Sequence, residues 1–535
     1  MTEGLDRIQR RVGIAALIVS GGVLISRLLG QVRDIVFAGM LGASGDTDVY
    51  VAAFRIPDFL NYLLAGGFLS ITFIPIFARY LADDDEEGGW TALTAIIRPL
   101  AIAITAFVVI GWWATPAVMD WLFPDFSPEQ LAEAIRLTRI VLPAQIFFVV
   151  GALFAAVQYA KGRFVIPTLA PIAYNLGIIL GGLLYPVVTG DPASPEGFIW
   201  GAVIGAFVGN FALQWWGARK VGMRRRPGTP WRHPAVLEYL VLALPLMIGQ
   251  SVVVLDETFM SVFGNQAGAA AQTHLQYARR TMLVPVGVLG QAAGVAAFPF
   301  LARLFAEGRT RELADSVDRT MRTLIVLSLG ATGLTIALSQ PVIRTLFQRG
   351  SFTPEDTVAT ASALVVYGLA IPVWGALQII SRGFYARRQM WTPVVIGTVA
   401  SVAAVPLFIV MQDRWGLLGV AGASSVILTL YTVALGVAWY RRVGEPGRVG
   451  PMLAGPLRSL PLVIAGSLAA YAVSWLVAAT IGDGWWAGLV VVLAGTAAFV
   501  AVAFAGGGLL HDRLGPGPVI GSSSAAVAPE PNLEQ

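Results

Sequence analysis

The 535-residue chain contains no cysteine, three histidines and only 13% charged residues. Without cysteine there is no disulfide framework, no thiol nucleophile and no thiolate metal site. His233, His274 and His511 are scattered and lack metal-ligand spacing, so neither a metal nor another cofactor is expected. A Walker A loop, a nucleotide-binding glycine fingerprint after a strand and a nucleophile elbow are all missing. These absences count against ATP-driven transport within this chain and against hydrolytic or synthetic chemistry. Soluble domains carry about 25% charged residues, so an aqueous globular enzyme is disfavoured as well. Outer-membrane barrels alternate in segments of about ten residues, and that pattern is also absent.

What the chain has is apolar length. Hydrophobic residues make up 56% of it, and the mean hydropathy is +0.71. Runs long enough to cross a bilayer, roughly 18 residues or more, recur from end to end. The expectation is an all-α polytopic membrane protein with about fourteen spans: 12–40, 47–78, 92–116, 132–160, 165–189, 197–219, 236–263, 270–304, 320–340, 357–386, 391–411, 416–440, 457–481 and 485–510. The second, eighth and tenth are long, which predicts tilt, kinks or extensions. The start, "MTEGLDRIQRRVGIAALIVS", has the charge order of a signal peptide but no small-residue cleavage site, and reads as a retained first span.

Charge sets the orientation. "KGR" at 161–163, "RKVGMRRRPGTPWRH" at 219–233, "RLFAEGRTR" at 303–311 and "RRVGEPGR" at 441–448 lie in one set of loops. The alternate loops, such as "GASGDTD" at 42–48 and "GNQAGAA" at 264–270, are nearly free of Lys and Arg. The positive-inside rule puts the basic loops and both termini in the cytoplasm. The net charge of +4 and pI near 9.4 therefore reflect basic loops, and no nucleic-acid partner is expected. Trp112–Trp113, Trp215–Trp216 and Trp485–Trp486 fall near span ends as interfacial anchors.

The chain repeats itself. "RIPDFLNYLLAGGFLSITFIPIFARYLAD" at 55–83 aligns without gaps on "RRTMLVPVGVLGQAAGVAAFPFLARLFAE" at 279–307, so that Arg55 meets Arg279, Pro75 meets Pro299 and Arg79 meets Arg303. "QYAKGRFVIPT" at 158–168 echoes "FYARRQMWTPV" at 384–394 at nearly the same offset. That offset spans six helices. An even number preserves orientation, so the halves are parallel repeats about an axis along the membrane normal. The division expected is an N-lobe over 1–225, a C-lobe over 226–445, a C-terminal helix pair over 446–512 and a disordered tail over 513–535 rich in Ser, Ala, Pro and Gly. Pro75, Pro143, Pro167, Pro245, Pro285, Pro299 and Pro393 are expected to kink spans. Gly66–Gly67 and Gly181–Gly182 are expected to permit close helix packing.

Against this background the charged residues inside spans stand out. A guanidinium near the bilayer centre costs about 2.5–3.5 kcal/mol even on the lenient insertion scale. The first span nevertheless carries Arg27, Arg33 and Asp34, and the second carries Asp48, Arg55 and Asp58. Asp256 lies deep in the seventh, and Arg279–Arg280 enter the eighth. Arg27 and Asp34 share a helix face two turns apart, while Arg33 points about a third of a turn away. One reading is internal pairing: Arg27 with Asp34, Arg55 with Asp48 or Asp58, and Asp256 with Arg279 or Arg280. The other is that arginines line a hydrated cavity and bind an anionic headgroup, since arginine matches phosphate bidentately and stays ionised. Both hold together if aspartates keep arginines in position.

At these residues the chain resembles the MurJ/MviN lipid II flippases of the multidrug/oligosaccharidyl-lipid/polysaccharide exporter superfamily. "SRLLGQVRDIVFAGMLGASGDTDVYVAAFRIPDFL" at 26–60 resembles their N-terminal signature, and "QYARRTMLVPVGVLG" at 276–290 resembles their eighth span. "GSFTPEDTVATASALVVYGLAIP" and "GFYARRQMWTPV" resemble the tenth span and the turn after it. The resemblance implies two six-helix lobes around a V-shaped cavity, plus two C-terminal helices forming a lipid-facing groove. It implies transport of lipid II between leaflets of a bacterial plasma membrane, with phosphates met by Arg27, Arg33 and Arg280 and with Asp34 and Asp48 essential. Arg55 and Arg279 complete the candidate site. Asn61, Tyr62 and Gly66 depart from the family's charged pattern in the second span. A sodium site known in some members would here find Asp256 but only Thr398 and Ser401 in the eleventh span. The expected activity is alternating access with no bond made or broken, and the cell-wall synthesis machinery is left open as a protein partner. The alternatives are a flippase for another polyprenyl-linked polysaccharide, a cation-coupled drug exporter of the same superfamily, or a non-transporting scaffold.

Overall fold

The computed structural model describes residues 2–64, 68–190, 194–224, 232–249, 251–291, 300–301, 303–387, 389–443, 449–481 and 485–514. Among them no strand occurs, and the chain runs through twenty helices. The first half comprises α1 (Thr2–Leu41), α2 (Gly45–Ala53), α3 (Arg55–Leu64), α4 (Phe68–Ala82), α5 (Glu86–Leu122), α6 (Pro128–Val141), α7 (Ala144–Ala160), α8 (Val165–Thr189), α9 (Pro195–Gly205) and α10 (Leu213–Lys220). The remainder comprises α11 (Pro234–Gly249), α12 (Ser251–Gln266), α13 (Ala271–Val286), α14 (Thr310–Ala337), α15 (Ser339–Phe347), α16 (Pro354–Gly368), α17 (Ile371–Ala386), α18 (Trp391–Val443), α19 (Val449–Thr480) and α20 (Trp485–Leu514). Widened π turns at Ala206–Ala212 and Gly287–Gln291 join α9 to α10 and close α13.

Among the described residues, eight helical stretches are long and apolar enough to cross a membrane, two of them running through a junction (α6 into α7 and α9 into α10), and the pair α16 and α17 adds a span bent by 45°. α1 is a single helix that makes the first pass, and other passes are assembled from pieces. The second is α2, α3 and α4 in succession, and the seventh is α11 and α12. α18 supplies two passes, because Gly416 at φ 52°, ψ −127° reverses direction within it. Only glycine adopts that backbone without strain. The result is a multi-pass membrane protein of about fourteen spans in two six-helix pseudo-symmetric lobes, with α19 and α20 packed on each other and against α14 and α15.

Local chemistry explains where helices start. Ser44, Ser127 and Thr353 each close a capping box on α2, α6 and α16, which satisfies amides that the first turn leaves without partners. Pro143 separates α6 from α7, as a residue lacking an N–H should. Pro167 and Pro393 do not kink spans. Each is instead the third residue of its helix, α8 and α18, where a missing amide is harmless. Their shared position is a further sign of the repeat. Pro75 and Pro285 lie inside α4 and α13, and a π turn follows the latter. Pro299, Gly66 and the tail beyond residue 514 lie outside the described residues.

α8 and α9 meet through glycine. A Cβ on Gly177 would sit 2.6 Å from Gly205 Cα and 2.7 Å from Gly201 O, so the backbones touch. The interfacial aromatics face outward: Trp113 is 72% exposed, and Arg139, Arg219 and Lys220 lie over Trp112, Trp215 and Trp216. In the loop before α14, Arg303 and Arg309 bind Glu307 and hold its carboxyl below the usual range.

Three large apolar cores organise the described residues, with a small fourth cluster of Val150, Phe154 and Ala218. One is shared by both lobes and joins Phe37, Tyr50 and Phe198 to Tyr277, Phe347 and Phe352. A second belongs to α4, α5 and α7 but also takes Ala235, Tyr239 and Ala243 from α11. The third lies within the second lobe around Phe384 and Trp439.

Candidate functional site

The intramembrane charges collect on the helices that face each other across the lobes: α1, α2 and α3 on one side, α12 and α13 on the other. Asp34 is the hub. Its side chain is 7% exposed and accepts from Arg33 Nε at 3.0 Å and Nη2 at 2.9 Å. Arg280 of the opposite lobe donates Nη1 to the same oxygen. Neighbouring helix residues do not face each other, so Arg33 reaches Asp34 by curling its long stem back along α1. Its Nη1 is then held by Asn175 Oδ1 at 3.1 Å, and Asn175 in turn donates to Pro171 O at 2.9 Å. A carboxylate with several charge-assisted bonds is well compensated in a low-dielectric setting.

The expected Arg27–Asp34 pair does not form. Two helical turns separate them, while Arg33 and Arg280 reach Asp34 directly. Arg27 instead lies against Gly287, in the π turn of the other lobe, where a Cβ would collide with its guanidinium. Arg27 is exposed and Arg280 is 35% exposed at its side chain. The charged cluster therefore opens on the side of α1 that leads toward its N-terminus. Arg33 and Arg280 share the carboxylate of Asp34, Arg27 has no carboxylate partner among the described residues, and the Arg55–Asp58 pair lies alongside.

The opposite side is sealed. Thr273 donates its N–H to Asp48 Oδ1 at 2.9 Å and its hydroxyl at 2.6 Å. Thr47 and Thr273 hydroxyls are 3.1 Å apart. Ser351 adds its N–H to Gly39 O at 3.0 Å and its hydroxyl to Met40 O at 3.0 Å. Asp48 is thus a lobe-to-lobe acceptor and not the partner of Arg55. Arg55 is buried, pairs with Asp58 at 3.3 Å and reaches Glu257 O at 3.4 Å.

Arg279 is buried in its own lobe, with Nη1 2.6 Å from Asp256 Oδ2. Ser424 donates to the other Asp256 oxygen at 2.9 Å. The residues that a sodium site of the kind known in some family members would use are otherwise engaged: Arg279 supplies the cation for Asp256, and Thr398 donates to Val394 O at 2.9 Å. At the far end of the lobes, Arg79 clasps Glu238 through two bonds of 2.8 and 2.7 Å.

The structure thus brings Arg27, Arg33, Asp34 and Arg280 together, sets Asp48 and Arg55 along the same seam, and leaves Arg279 behind it. Sequence reasoning missed Asn175, Thr273, Ser424 and Glu257. Asn175 carried a signal, since an amide interrupts the apolar run "APIAYNLGIILGG". His274, buried beside Thr360 at 3.0 Å and Asp356 at 3.5 Å, is a packed polar residue.

The fold is shared with solved transporters of the MOP superfamily. An inward-facing multidrug resistance MATE family transporter of that superfamily superposes with a TM-score of 0.66 at 15% identity, over 80% of this chain and 98% of the other. A structure titled lipid II flippase MurJ in an inward closed conformation gives 0.72 at 22% identity, over 92% of this chain and all of that one (100%). The family profile described as "Lipid II flippase MurJ" matches residues 37–494, and the chain belongs to that family. A probable lipid II flippase MurJ from Vibrio cholerae serotype O1 is 29% identical over 437 residues, covering 78% of this chain and 81% of its own length.

Proposed function

We propose that this chain moves lipid II, the polyprenyl-pyrophosphate-linked precursor of peptidoglycan, from the inner to the outer leaflet of a bacterial plasma membrane for the cell-wall synthesis machinery. The substrate is the one named for the family and its relatives. The observation that carries the reading is the guanidinium cluster at the lobe seam: Arg33 and Arg280 share the carboxylate of Asp34, and Arg27 stands beside them with no carboxylate partner among the described residues. A diphosphate can engage such groups bidentately, and they stay charged in every state. Arg27 and Arg280 are accessible and make first contact. Arg33 is held ready by Asp34 and Asn175. Arg55 and Arg279, already bound to Asp58 and Asp256, position the helices around them.

The positive-inside rule orients the chain with both termini in the cytoplasm. The Asp48–Thr273 and Gly39–Ser351 contacts then lie on the outer side, the Arg79–Glu238 clasp lies on the inner side, and the arginine cluster stands between them. Rocking of lobes 1–225 and 226–445 would break the outer seal and expose the bound head outward while the prenyl tail stays in lipid, with 446–512 as an appended helix pair. No bond is made or broken, so the activity is transport and not catalysis.

The membrane potential is a sufficient drive, since one charge moved through 100 mV is worth about 2.3 kcal/mol. The deciding experiment follows labelled lipid II in proteoliposomes with and without an imposed potential. Translocation above protein-free vesicles, faster with a negative interior, is expected. A rate no greater than that of protein-free vesicles refutes the reading. Complementation of a strain lacking its lipid II flippase separates lipid II from another polyprenyl-linked sugar.

A further inference from the structure

Away from the seam, the second lobe carries a groove of about 500 Å³ on its outer wall, between α14, α17, α18 and the start of α19. Met321, Ala376 and Ile380 form its buried floor, while Val433 and Val437 line its open side. Its volume falls in the range of pockets that enclose small ligands, about 300–1,000 Å³. Most of the lining is apolar, the hydroxyls of Thr429 and Thr432 are bonded to Ser425 O and Leu428 O of their own helix, and the one charged lining residue stands at one end. There α18 terminates in Arg441 and Arg442, and Arg441 lines the groove.

The two arginines are differently committed. Arg442 donates to Thr392 Oγ1 at 2.6 Å and Gln389 Oε1 at 3.2 Å, across the turn before α18. Consecutive helix residues point about 100° apart, so Arg441 faces the groove instead. It is exposed, and no described carboxylate pairs with it. Its neighbour Tyr440 is fixed by donating to Asp318 at 2.9 Å, which keeps that carboxylate occupied.

We propose that this groove holds one anionic phospholipid of the cytoplasmic leaflet, its acyl chain along the apolar floor and its phosphate on Arg441. The assignment rests on the orientation given above and not on lipid II as substrate. That orientation sets Arg441 at the level of the inner headgroups, where the surface is anionic and each basic residue near it is worth about 1 kcal/mol. Charge complementarity selects the headgroup, and the apolar volume selects a chain over a soluble phosphate.

Native mass spectrometry of the purified full chain, titrated with phosphatidylglycerol or phosphatidylcholine of identical chains, tests it. The protein should retain phosphatidylglycerol about tenfold more strongly. Arg441→Gln should abolish that preference while leaving the melting temperature unchanged. Gly436→Leu should lose both lipids: a Cβ there meets only Ile380 Cδ1 at 3.9 Å, so the side chain grows into the groove without unfolding the lobe. The proposal is overturned if Arg441→Gln keeps the preference, if Gly436→Leu keeps its lipid, or if undecaprenyl phosphate displaces phosphatidylglycerol at equal concentration. None of these readouts depends on translocation, so the two proposals fail separately.

Discussion

Thr273 gives both its backbone N–H and its hydroxyl to one oxygen of Asp48, a residue of the opposite lobe. The contact is buried and charge-assisted, so it is strong enough to matter and can be replaced when the lobes part. With the Gly39–Ser351 contacts it closes one end of the seam, and the arginines lie just beneath.

Locking this end should stop the cycle. The sequence contains no cysteine, so a Thr47→Cys/Thr273→Cys pair is the only thiol pair in the protein. The hydroxyls it replaces are 3.1 Å apart, close enough for a disulfide after small adjustments. Oxidation should abolish translocation in proteoliposomes, and a reductant should restore it. Full transport by the oxidised protein would show that this seam does not open.

Arg27 and Arg279 should separate binding from stability. Arg27→Glu leaves no buried carboxylate stranded, so protein level and melting temperature should hold while translocation falls at least tenfold. Arg279→Ala strands Asp256, and removing one member of a buried pair costs about 3–5 kcal/mol. Its signature should be a lower melting temperature. Unimpaired complementation by Arg27→Glu would count against the arginine mechanism.

The glycine seam between α8 and α9 should tolerate no side chain. Gly177→Val drives methyl groups into the Gly201 and Gly205 backbone, and overpacking of this kind costs about 1–3 kcal/mol. Gly21→Val is the control, since nothing lies within 4 Å of a Cβ there. Thermal unfolding in detergent should lower the first variant only.

The Arg79–Glu238 clasp should contribute little to folding. Both side chains are substantially exposed, at 54% and 35%, and exposed pairs are worth about 0–1 kcal/mol. A double-mutant cycle should return a coupling in that range, weakening as salt is raised. If the clasp gates the inner side, Glu238→Gln should speed labelling of a cysteine introduced at Arg280 without shifting the melting temperature.

Much of this was legible in the chain itself. The all-helical membrane fold and its repeat follow from apolar length and from the alignment of Arg55 on Arg279, because the bilayer imposes a length scale and homologous halves keep their landmarks. The charged members of the site were visible for the same reason: each stands out in hydrocarbon. Their pairing was not. Asp34 could be matched to Arg27 by helix periodicity, but the winning partner, Arg280, comes from another helix whose approach depends on the shared core around Phe37 and Tyr277. Thr273 and Ser424 were hidden because hydroxyls inside helices usually bond back to their own turn, as Thr281 does with Tyr277 O. Periodicity places residues on faces; it does not say which faces meet.

The repeat-related arginines Arg55 and Arg279 both reach α12, at the adjacent residues Glu257 and Asp256. Their grips are unequal: one is a long bond to a backbone carbonyl from across the divide, the other a short ion pair from within the same lobe. A swivel of the halves would break the tether from across the divide and leave the Asp256 pair whole within its own lobe, so α12 would travel with α13.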